Sequence, residues 1–209
     1  MNKSLRLLAG SALLLLSLAA AQAASPWSVR VRATYLETVD KSDPFTALGI
    51  HFGRDAVSVN DKLIPEIDIS YAFTDTLYAE LVLTIPQMQT VKLAGVGKLG
   101  TFIHLPPTLM FQYRANPTGK IHPYAGLGVN YTLVWSDHLS VAGVPLSLEN
   151  SSFGLAAQIG LDWDLTDHWG LNIDVKKANI RSKVFAGSTS LTEARLDPLL
   201  YSVGVRYAF

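Results

Sequence analysis

Cysteine is absent from this 209-residue chain, and so is any grouping of histidines and carboxylates at the spacing of metal ligands. The first absence excludes a disulfide framework and thiolate metal sites. The second leads us to expect no metal and no other cofactor. After residue 23 the chain also has no run of about 18 consecutive apolar residues, which a transmembrane helix needs. Yet 49% of the residues are hydrophobic, so their arrangement decides the class of protein.

The first 23 residues have the three parts of a secretory signal peptide. Lys3 and Arg6 give a positively charged start, residues 7–20 are apolar, and Ala21-Gln22-Ala23 is a small-x-small cleavage pattern. We expect cleavage after Ala23, which leaves residues 24–209 as one domain. An uncleaved membrane anchor is the alternative, and the short apolar core and the Ala-x-Ala end argue against it.

No excess of positive charge remains in the mature chain. The full sequence balances 17 basic against 17 acidic residues, and loss of Lys3 and Arg6 leaves a net charge near −2. A protein that binds nucleic acid carries a basic stripe or patch. Nucleic acid is therefore excluded as a partner.

The carboxyl terminus alternates strictly between apolar and small or polar residues. The apolar positions are Leu199, Tyr201, Val203, Val205, Tyr207 and Phe209, and the intervening ones from 202 on are Ser202, Gly204, Arg206 and Ala208. A period of two indicates a β-strand with one apolar face, and its length suits a tilted membrane strand of roughly 9–11 residues. A terminal aromatic is typical of the last strand of bacterial outer-membrane barrels. We therefore expect Phe209 to contact the outer-membrane assembly machinery.

Eight segments of the mature chain show this alternation. They are 27–36, 63–73, 77–86, 104–114, 124–135, 153–165, 169–180 and 199–209. Three connections are tight turns, near 74–76, 116–119 and 166–168, and four are longer loops, including 37–62, 87–101 and 187–192. Short periplasmic turns and longer outer loops are typical of outer-membrane barrels. The sequence therefore predicts an all-β protein, an eight-stranded antiparallel up-and-down transmembrane β-barrel in contact with the lipid bilayer.

A soluble eight-stranded lipocalin is the structural alternative. In a lipocalin the apolar positions would face a ligand inside the barrel, and the outer surface would carry the charge. Here the charged positions are interspersed with small residues, namely Gly126, Gly128, Gly154, Ala156 and Gly160. Small residues suit the crowded interior of a narrow barrel, so the pattern favours the membrane barrel.

Four runs of sequence resemble the outer-membrane protein W family. They are His104-Leu-Pro-Pro-Thr-Leu109, residues 122–132 (HPYAGLGVNYT), residues 154–162 (GLAAQIGLD) and Leu196-Asp197-Pro198. The resemblance extends over almost the whole mature chain. It implies a location in the bacterial outer membrane and a narrow lumen that admits small, mainly hydrophobic molecules. It also implies a lateral opening in the wall that releases these molecules into the membrane.

Pro106 and Pro107 give the lateral opening a physical basis. Proline has no N–H, so two prolines within a strand remove hydrogen bonds to the neighbouring strand. One interpretation is a slot through which an apolar solute leaves sideways. The other is a bulge at the outer rim of the barrel, where prolines are tolerated.

The resemblance also places inward gate residues on the third and seventh strands, at Val82 and Lys176. Val82 has the apolar character that the family implies, whereas Lys176 does not. We expect Lys176 to pair with an inward carboxylate such as Asp174, Asp162 or Glu80.

Charges of both signs occupy the inward positions of the predicted strands. They are Arg30, Arg32, Glu66, Asp68, Glu80, Arg114, Asp162, Asp164, Asp174, Lys176 and Arg206. Because side chains just fill an eight-stranded barrel, we expect most of these charges to pair inside the lumen. Among them Arg30, Arg32, Arg114, Glu80 and Asp174, with Lys176 and Val82, are the candidate lumen and gate residues. Candidates for an apolar funnel near the outer loops are Leu48, Ile50, Phe52, Val82, Leu99, Phe102 and Leu146.

Two other classes of function remain as alternatives to passive passage of small hydrophobic molecules. An outer-membrane enzyme would need a histidine beside a nucleophile or carboxylate. The five histidines, His51, His104, His122, His138 and His168, show no such spacing, so we expect no catalytic residues. A structural or receptor barrel, whose loops bind phage or bacteriocin, is compatible with the polar loop near Gly187.

Overall fold

The computed structural model describes residues 25–39, 41–47 and 49–209. The predicted signal peptide, residues 1–23, lies outside this part of the chain. Within it, the regular structure is entirely β. No helix among residues 25–39, 41–47 and 49–209 is both long and apolar enough to span a membrane.

Seventeen strands make up the described chain. In order they are β1 (Trp27–Glu37), β2 (Lys41–Ser42), β3 (Phe45–Ala47), β4 (Ile50–Phe52), β5 (Val57–Val59), β6 (Lys62–Ala72), β7 (Leu77–Thr84), β8 (Gln87–Leu93), β9 (Gly97–Leu105), β10 (Thr108–Arg114), β11 (Ile121–Val141), β12 (Val144–Leu148), β13 (Ser151–Asp164), β14 (Trp169–Ala178), β15 (Arg181–Ala186), β16 (Thr189–Arg195) and β17 (Leu199–Ala208).

Eight of these strands form a closed antiparallel barrel in the order β1, β6, β7, β10, β11, β13, β14, β17. The first strand closes the barrel against the last, from the pair Ser28–Ala208 to the pair Glu37–Leu199. Closure leaves no free sheet edge, which a β-structure in hydrocarbon requires. The predicted eight-stranded up-and-down barrel is therefore confirmed.

The period of two in the sequence decides which face of each strand is inside. On β1, Arg30 and Arg32 are buried, whereas Val31 between them is half exposed. Leu63, Leu127 and Phe153 on other strands are at least 70% exposed. Removing such a side chain from water gains roughly 1.5–3 kcal/mol, so this outer surface is stable only against hydrocarbon. The lipocalin alternative, with its apolar face inward, is wrong.

Short turns and aromatic residues mark one end of the barrel, the periplasmic end. In two of the three turns a threonine hydroxyl accepts backbone N–H groups: Thr74 Oγ1 from Leu77 at 3.0 Å and Thr166 Oγ1 from Trp169 at 2.9 Å. Aromatic rings surround the same end, with centroids 4.8 Å apart in the pairs Trp27–Tyr71 and Trp169–Tyr207. The positions of the three predicted tight turns are confirmed.

The opposite, outer end differs from the prediction, because its loops are largely strands. Residues 87–101, predicted to be a loop, contain β8 and the start of β9, and the region near Gly187 is the turn of the hairpin β15–β16. Glycines with positive φ, such as Gly95 (76°) and Gly187 (59°), form these turns. Their presence obscured the alternation of the apolar residues on either side.

The fourth barrel strand also begins later than predicted, at Thr108 instead of residue 104. His104 belongs to β9, which pairs with the upper part of the long strand β11. Pro106 and Pro107 separate β9 from β10. The prediction joined them because the alternation continues on both sides of the two prolines.

Strands β2–β5, β8, β9, β12, β15 and β16 and the upper part of β11 form an extension beyond the outer end of the barrel, which we call the outer extension, and most of the hydrophobic core lies in it. Its buried members include Phe52, Val91, Leu93, Leu99, Phe102, Leu139, Val141 and Leu146. The barrel lumen beneath it is polar. The molecule therefore has a charged interior within the membrane and an apolar interior outside it.

Candidate functional site

The lower lumen is filled by paired charges, which we call the plug. It consists of the cations Arg30, Arg32, Arg114, Lys176 and Arg206 and the carboxylates Glu66, Asp68, Glu80, Asp162, Asp164 and Asp174. All but Asp164 are nearly fully buried. The predicted inward charges therefore do meet in the lumen.

Arg30 lies at the centre of the plug. Its Nε and Nη2 donate to the two carboxylate oxygens of Asp162 at 3.2 and 2.7 Å, and its Nη1 donates to Glu80 and to Ser70 Oγ. Arg32 takes the next inward position, with Nε 2.9 Å from Asp68 and Nη1 3.1 Å from Glu66. The rigid fork of a guanidinium suits this bidentate pairing. Two arginines thus tie together carboxylates from several strands.

Lys176 forms the upper boundary of the plug. Its Nζ is 3.2 Å from Glu66 and 3.5 Å from Asp174. The predicted pairing with Asp174 is present, and Glu66 is a partner that the sequence did not indicate. Removing one member of a buried pair costs about 3–5 kcal/mol, so Lys176 is held in place as part of the plug.

Glycine makes room for the plug in the barrel wall. A Cβ on Gly160 would lie 2.4 Å from the hydroxyl oxygen of Tyr124. That hydroxyl donates to Asp174 Oδ2 at 2.9 Å and accepts from Asn172 Nδ2 at 3.0 Å. The predicted role of small inward residues in a crowded lumen is confirmed at this position.

Above the plug is an enclosed apolar cavity, which we call the chamber. It is lined by Val91, Leu93, Leu99 and Phe102 of β8 and β9, by Val134, Leu139 and Val141 of β11, and by Leu146, Ile180, Val184 and Leu196 among others. Its volume is about 50 Å³, compared with about 150 Å³ for an engineered cavity that takes benzene. A solute therefore enters only if lining side chains move.

The barrel wall beside the chamber has a break, which we call the seam. The ladder between β7 and β10 ends at Val82–Thr108, and the ladder between β8 and β9 resumes at Gln87–His104. Among the described residues, no ladder pair joins 83–86 to 105–107. Pro86, Pro106 and Pro107 all lie within this break, so three residues of the seam have no N–H to donate.

Side chains donate hydrogen bonds to carbonyl groups of the seam, and the Pro107 carbonyl also accepts from the backbone N–H of Tyr131 on β11 at 3.1 Å. Asn130 Nδ2 donates to the carbonyl oxygens of Pro106 and Pro107 at 3.2 and 3.3 Å, and Gln87 Nε2 donates to that of Ile85 at 2.9 Å. Hydrocarbon penalises unsatisfied backbone groups by several kcal/mol. Local bonds of this kind reduce that penalty where the ladder is interrupted.

A second cavity of about 30 Å³ lies inside the seam. Val82, Pro106, Thr108 and Asn130 line it, together with Lys176 at the top of the plug. Ile180 lines both this cavity and the chamber. The chamber, the seam cavity and the broken ladder are therefore adjacent.

The structure separates the predicted funnel residues. Leu99, Phe102 and Leu146 line the chamber, Val82 lines the seam cavity, and Phe52 is buried in the same apolar core. Ile50 is 54% exposed and lines neither the chamber nor the seam cavity. Leu48 lies outside the described residues.

Pro86, Gln87 and Asn130 belong to the seam but were missing from the sequence-based candidates. Pro86 closes the third predicted strand, and a proline at that position was a usable signal. The local sequence gives no signal for Asn130, because its bonds to Pro106 and Pro107 depend on the fold.

The histidines are dispersed over the molecule. His122 bonds to Asp164 at 2.8 Å near the periplasmic turns, His168 bonds to the Ala208 carbonyl, and His138 lies in the outer extension. In the part of the chain that the structure describes, no group of three or more histidines and carboxylates is placed to hold a metal.

A closed eight-stranded barrel with a lipid-facing apolar surface, short turns at one end and a charged lumen defines a bacterial outer-membrane β-barrel. The sequence matches the OmpW family over residues 25–209. It is 37% identical over 190 residues to the uncharacterized outer-membrane protein y4mB of Sinorhizobium fredii, covering 88% of this chain and 80% of that protein. It is 32% identical over 169 residues to outer membrane protein W of Vibrio cholerae, covering 73% and 76%. The chain belongs to the OmpW family and is located in the outer membrane.

The fold agrees with a solved member of this class. The crystal structure of the outer membrane protein OprG from Pseudomonas aeruginosa aligns with a TM-score of 0.75 at 27% identity, covering 89% of this chain and 97% of that one. None of the proteins named here carries the name of an enzyme.

Proposed function

We propose that this protein is a passive channel for small hydrophobic molecules, which enter the chamber from outside and leave through the seam into the bilayer. The observation that carries the proposal is the adjacency of an apolar chamber to a break in the wall, above a lumen closed by charges. Val82 and Lys176, which line the seam cavity, act as the gate on this route, and Pro106 and Pro107 form the lateral opening.

The plug favours lateral exit of the solute through the seam over passage along the whole length of the lumen. Eight ionic side chains, Arg30, Arg32, Glu66, Asp68, Glu80, Asp162, Asp174 and Lys176, are at most 3% exposed. An apolar solute offers them no hydrogen bonds, and separating a buried pair costs about 3–5 kcal/mol. Leaving through the seam requires no such separation.

The energetics of the apolar path also fit this proposal. The chamber and the membrane hydrocarbon are both apolar. The hydrophobic effect therefore does not oppose the transfer of a solute from one to the other. The barrier to an apolar solute is the polar outer surface of the membrane. The chamber lies at that level and supplies an apolar route through it.

The name of one relative supports the class of solute. The chain is 26% identical over 194 residues to the dibenzothiophene metabolism operon protein DoxH of Pseudomonas sp., covering 88% of this chain and 89% of that protein. Dibenzothiophene is a small apolar aromatic molecule. We extend that class of solute to the present protein.

Uptake of an apolar aromatic dye by proteoliposomes with lipopolysaccharide in the outer leaflet tests the proposal. Leu99→Lys places a charge in the chamber and is expected to reduce uptake at least tenfold. Pro86→Ala, Pro106→Ala and Pro107→Ala together restore three N–H donors to the seam and are expected to reduce uptake severalfold. Pro123→Ala, within a paired stretch of β11, is the matched control. Uptake that is unchanged in both variants would contradict the proposal and favour a receptor or structural barrel.

A further inference from the structure

Two buried side chains without a protein partner lie close to each other on β8 and β9, and one of them, His104, lines the chamber. Both ring nitrogens of His104 and both amide atoms of Gln89 are buried, and none of them makes a hydrogen bond to a residue that the structure describes. His104 is 1% exposed and Gln89 is 0% exposed. Most buried polar side-chain atoms in proteins are hydrogen-bonded, so this pair requires an explanation.

His104 and Gln89 are neighbours on the same inward face. His104 pairs with Gln87 across the β8–β9 ladder, and Gln89 pairs with Phe102. His104 and Gln89 are therefore diagonal partners, a distance that long side chains bridge. His104 itself lines the chamber, and its ring meets that of Phe102 edge to face at 5.7 Å between centroids.

The nearby polar groups of the chamber have other roles. Thr132 lines the chamber beside His104, but its hydroxyl donates to Asn130 Oδ1 at 2.6 Å. Asn130 in turn donates to Pro106, Pro107 and Thr108. The protein groups that the structure places around His104 thus leave its nitrogens without a partner.

The unpartnered hydrogen-bond donors and acceptors of His104 and Gln89 define the polar group that a solute must carry. Burial in apolar surroundings disfavours the charged imidazolium, and a neutral imidazole offers one donor and one acceptor. The amide of Gln89 offers two donors and an acceptor. A hydroxyl or carbonyl group complements this set, whereas an ionised group would be desolvated among the apolar walls without a counter-ion.

We infer that the chamber selects hydrophobic molecules with one uncharged hydrogen-bonding group, such as phenols, alcohols or ketones, and that His104 and Gln89 bind that group. The inference rests on the proposed channel function and adds the chemical class of its solutes. The apolar body of the solute packs among Val91, Leu99 and Phe102. His104 and Gln89 are then specificity-determining residues, placed where the β8–β9 ladder begins above the seam.

Naphthalene and 1-naphthol form a matched pair of probes, because they differ only by a hydroxyl group. Their uptake is measured in proteoliposomes with lipopolysaccharide in the outer leaflet and is corrected for uptake by protein-free vesicles. We expect the wild-type protein to favour 1-naphthol by roughly tenfold, the combined effect of two ordinary hydrogen bonds. His104→Phe keeps the aromatic contact with Phe102, and Gln89→Leu keeps the approximate volume of the side chain. Each variant is expected to lose most of the preference and to transport naphthalene at least as fast as the wild type.

Gln112→Leu is the matched control, because Gln112 is also buried, also has an unpartnered amide nitrogen, and lies on β10 below the seam. It should retain the preference.

A second measurement does not depend on transport: the imidazole ¹⁵N signal that His104→Phe removes should shift on addition of 1-naphthol and not of naphthalene. Two outcomes overturn the inference alone: both solutes enter the wild type without preference, or each variant slows both equally. If neither solute enters faster than in protein-free vesicles, the channel function itself fails.

Discussion

Replacing Arg30 by methionine tests whether the plug is a connected ion network. Methionine keeps much of the side-chain length but removes a guanidinium that contacts Asp162 through two nitrogens, at 3.2 and 2.7 Å, and also contacts Glu80. Both carboxylates are 0% exposed. Breaking a buried pair by removing one partner costs about 3–5 kcal/mol, because the other charge is left buried. We expect Arg30→Met to lower the free energy of unfolding by this amount.

The assay is urea unfolding of the protein refolded into lipid vesicles, followed by the fluorescence of its four tryptophans. Arg181→Met is the control: its side chain is 49% exposed and its ion-pair distances are 3.8 and 4.0 Å, so a loss of at most about 1 kcal/mol is expected. The double variant Arg30→Met/Glu80→Gln should recover part of the loss, since it removes one of the two buried carboxylates that lose their nearest cation. A loss below about 1 kcal/mol for Arg30→Met would refute the network.

Two further predictions concern the barrel wall and use the same unfolding assay. Gly160→Ala places a methyl group 2.4 Å from the Tyr124 hydroxyl oxygen and is expected to cost about 1–3 kcal/mol through overpacking. Gly53→Ala, which meets nothing within 4 Å, should change stability little, and equal effects of the two substitutions would contradict the crowding of the lumen. Leu127→Arg puts a charge on the lipid-facing surface midway along the stretch of β11 that pairs with β13 and should cost about 2–4 kcal/mol. Val144→Arg, in the outer extension, should cost much less; a similar cost at both sites would show that the membrane boundary is misplaced.

The barrel itself was predictable because its information is local. Residues 201–208 show why: the apolar residues Tyr201, Val203, Val205 and Tyr207 alternate with small or polar residues that face the lumen, so a period of two gives the strand and its orientation together. Turn residues such as Thr74 and Thr166 likewise form hydrogen bonds with residues close to them in the sequence. Strand count, order and the inward set of charges follow from such local patterns.

The outer extension was not predictable in the same way. Val91, Leu93 and Leu99 read as a loop because glycines at 95, 97 and 100 interrupt the alternation, yet pairing with the upper part of β11 makes this segment a hairpin. Nothing in the local sequence shows that β11 continues to Val141. The apolar core depends on this long-range pairing.

The seam contains residues that the local sequence identifies and residues whose part depends on the fold. Pro106 and Pro107 were recognisable because proline changes the backbone wherever it occurs. The part played by Asn130 and Gln87 depends on which carbonyl groups lie within reach after folding. The partner choice of Lys176, Glu66 as well as Asp174, depends in the same way on the register of β6 against the rest of the barrel.

The most direct test of the central claim follows where an apolar solute appears first. Proteoliposomes are prepared with lipopolysaccharide outside, a brominated phospholipid in the inner leaflet as a fluorescence quencher, and an apolar host such as cyclodextrin trapped inside. Pyrene is added outside, and its quenching in the bilayer is timed against its capture in the interior. Release through the seam predicts that quenching precedes capture and that the seam variant with three alanines slows both. Capture that precedes quenching would contradict the account, because the solute would then have passed straight through the lumen.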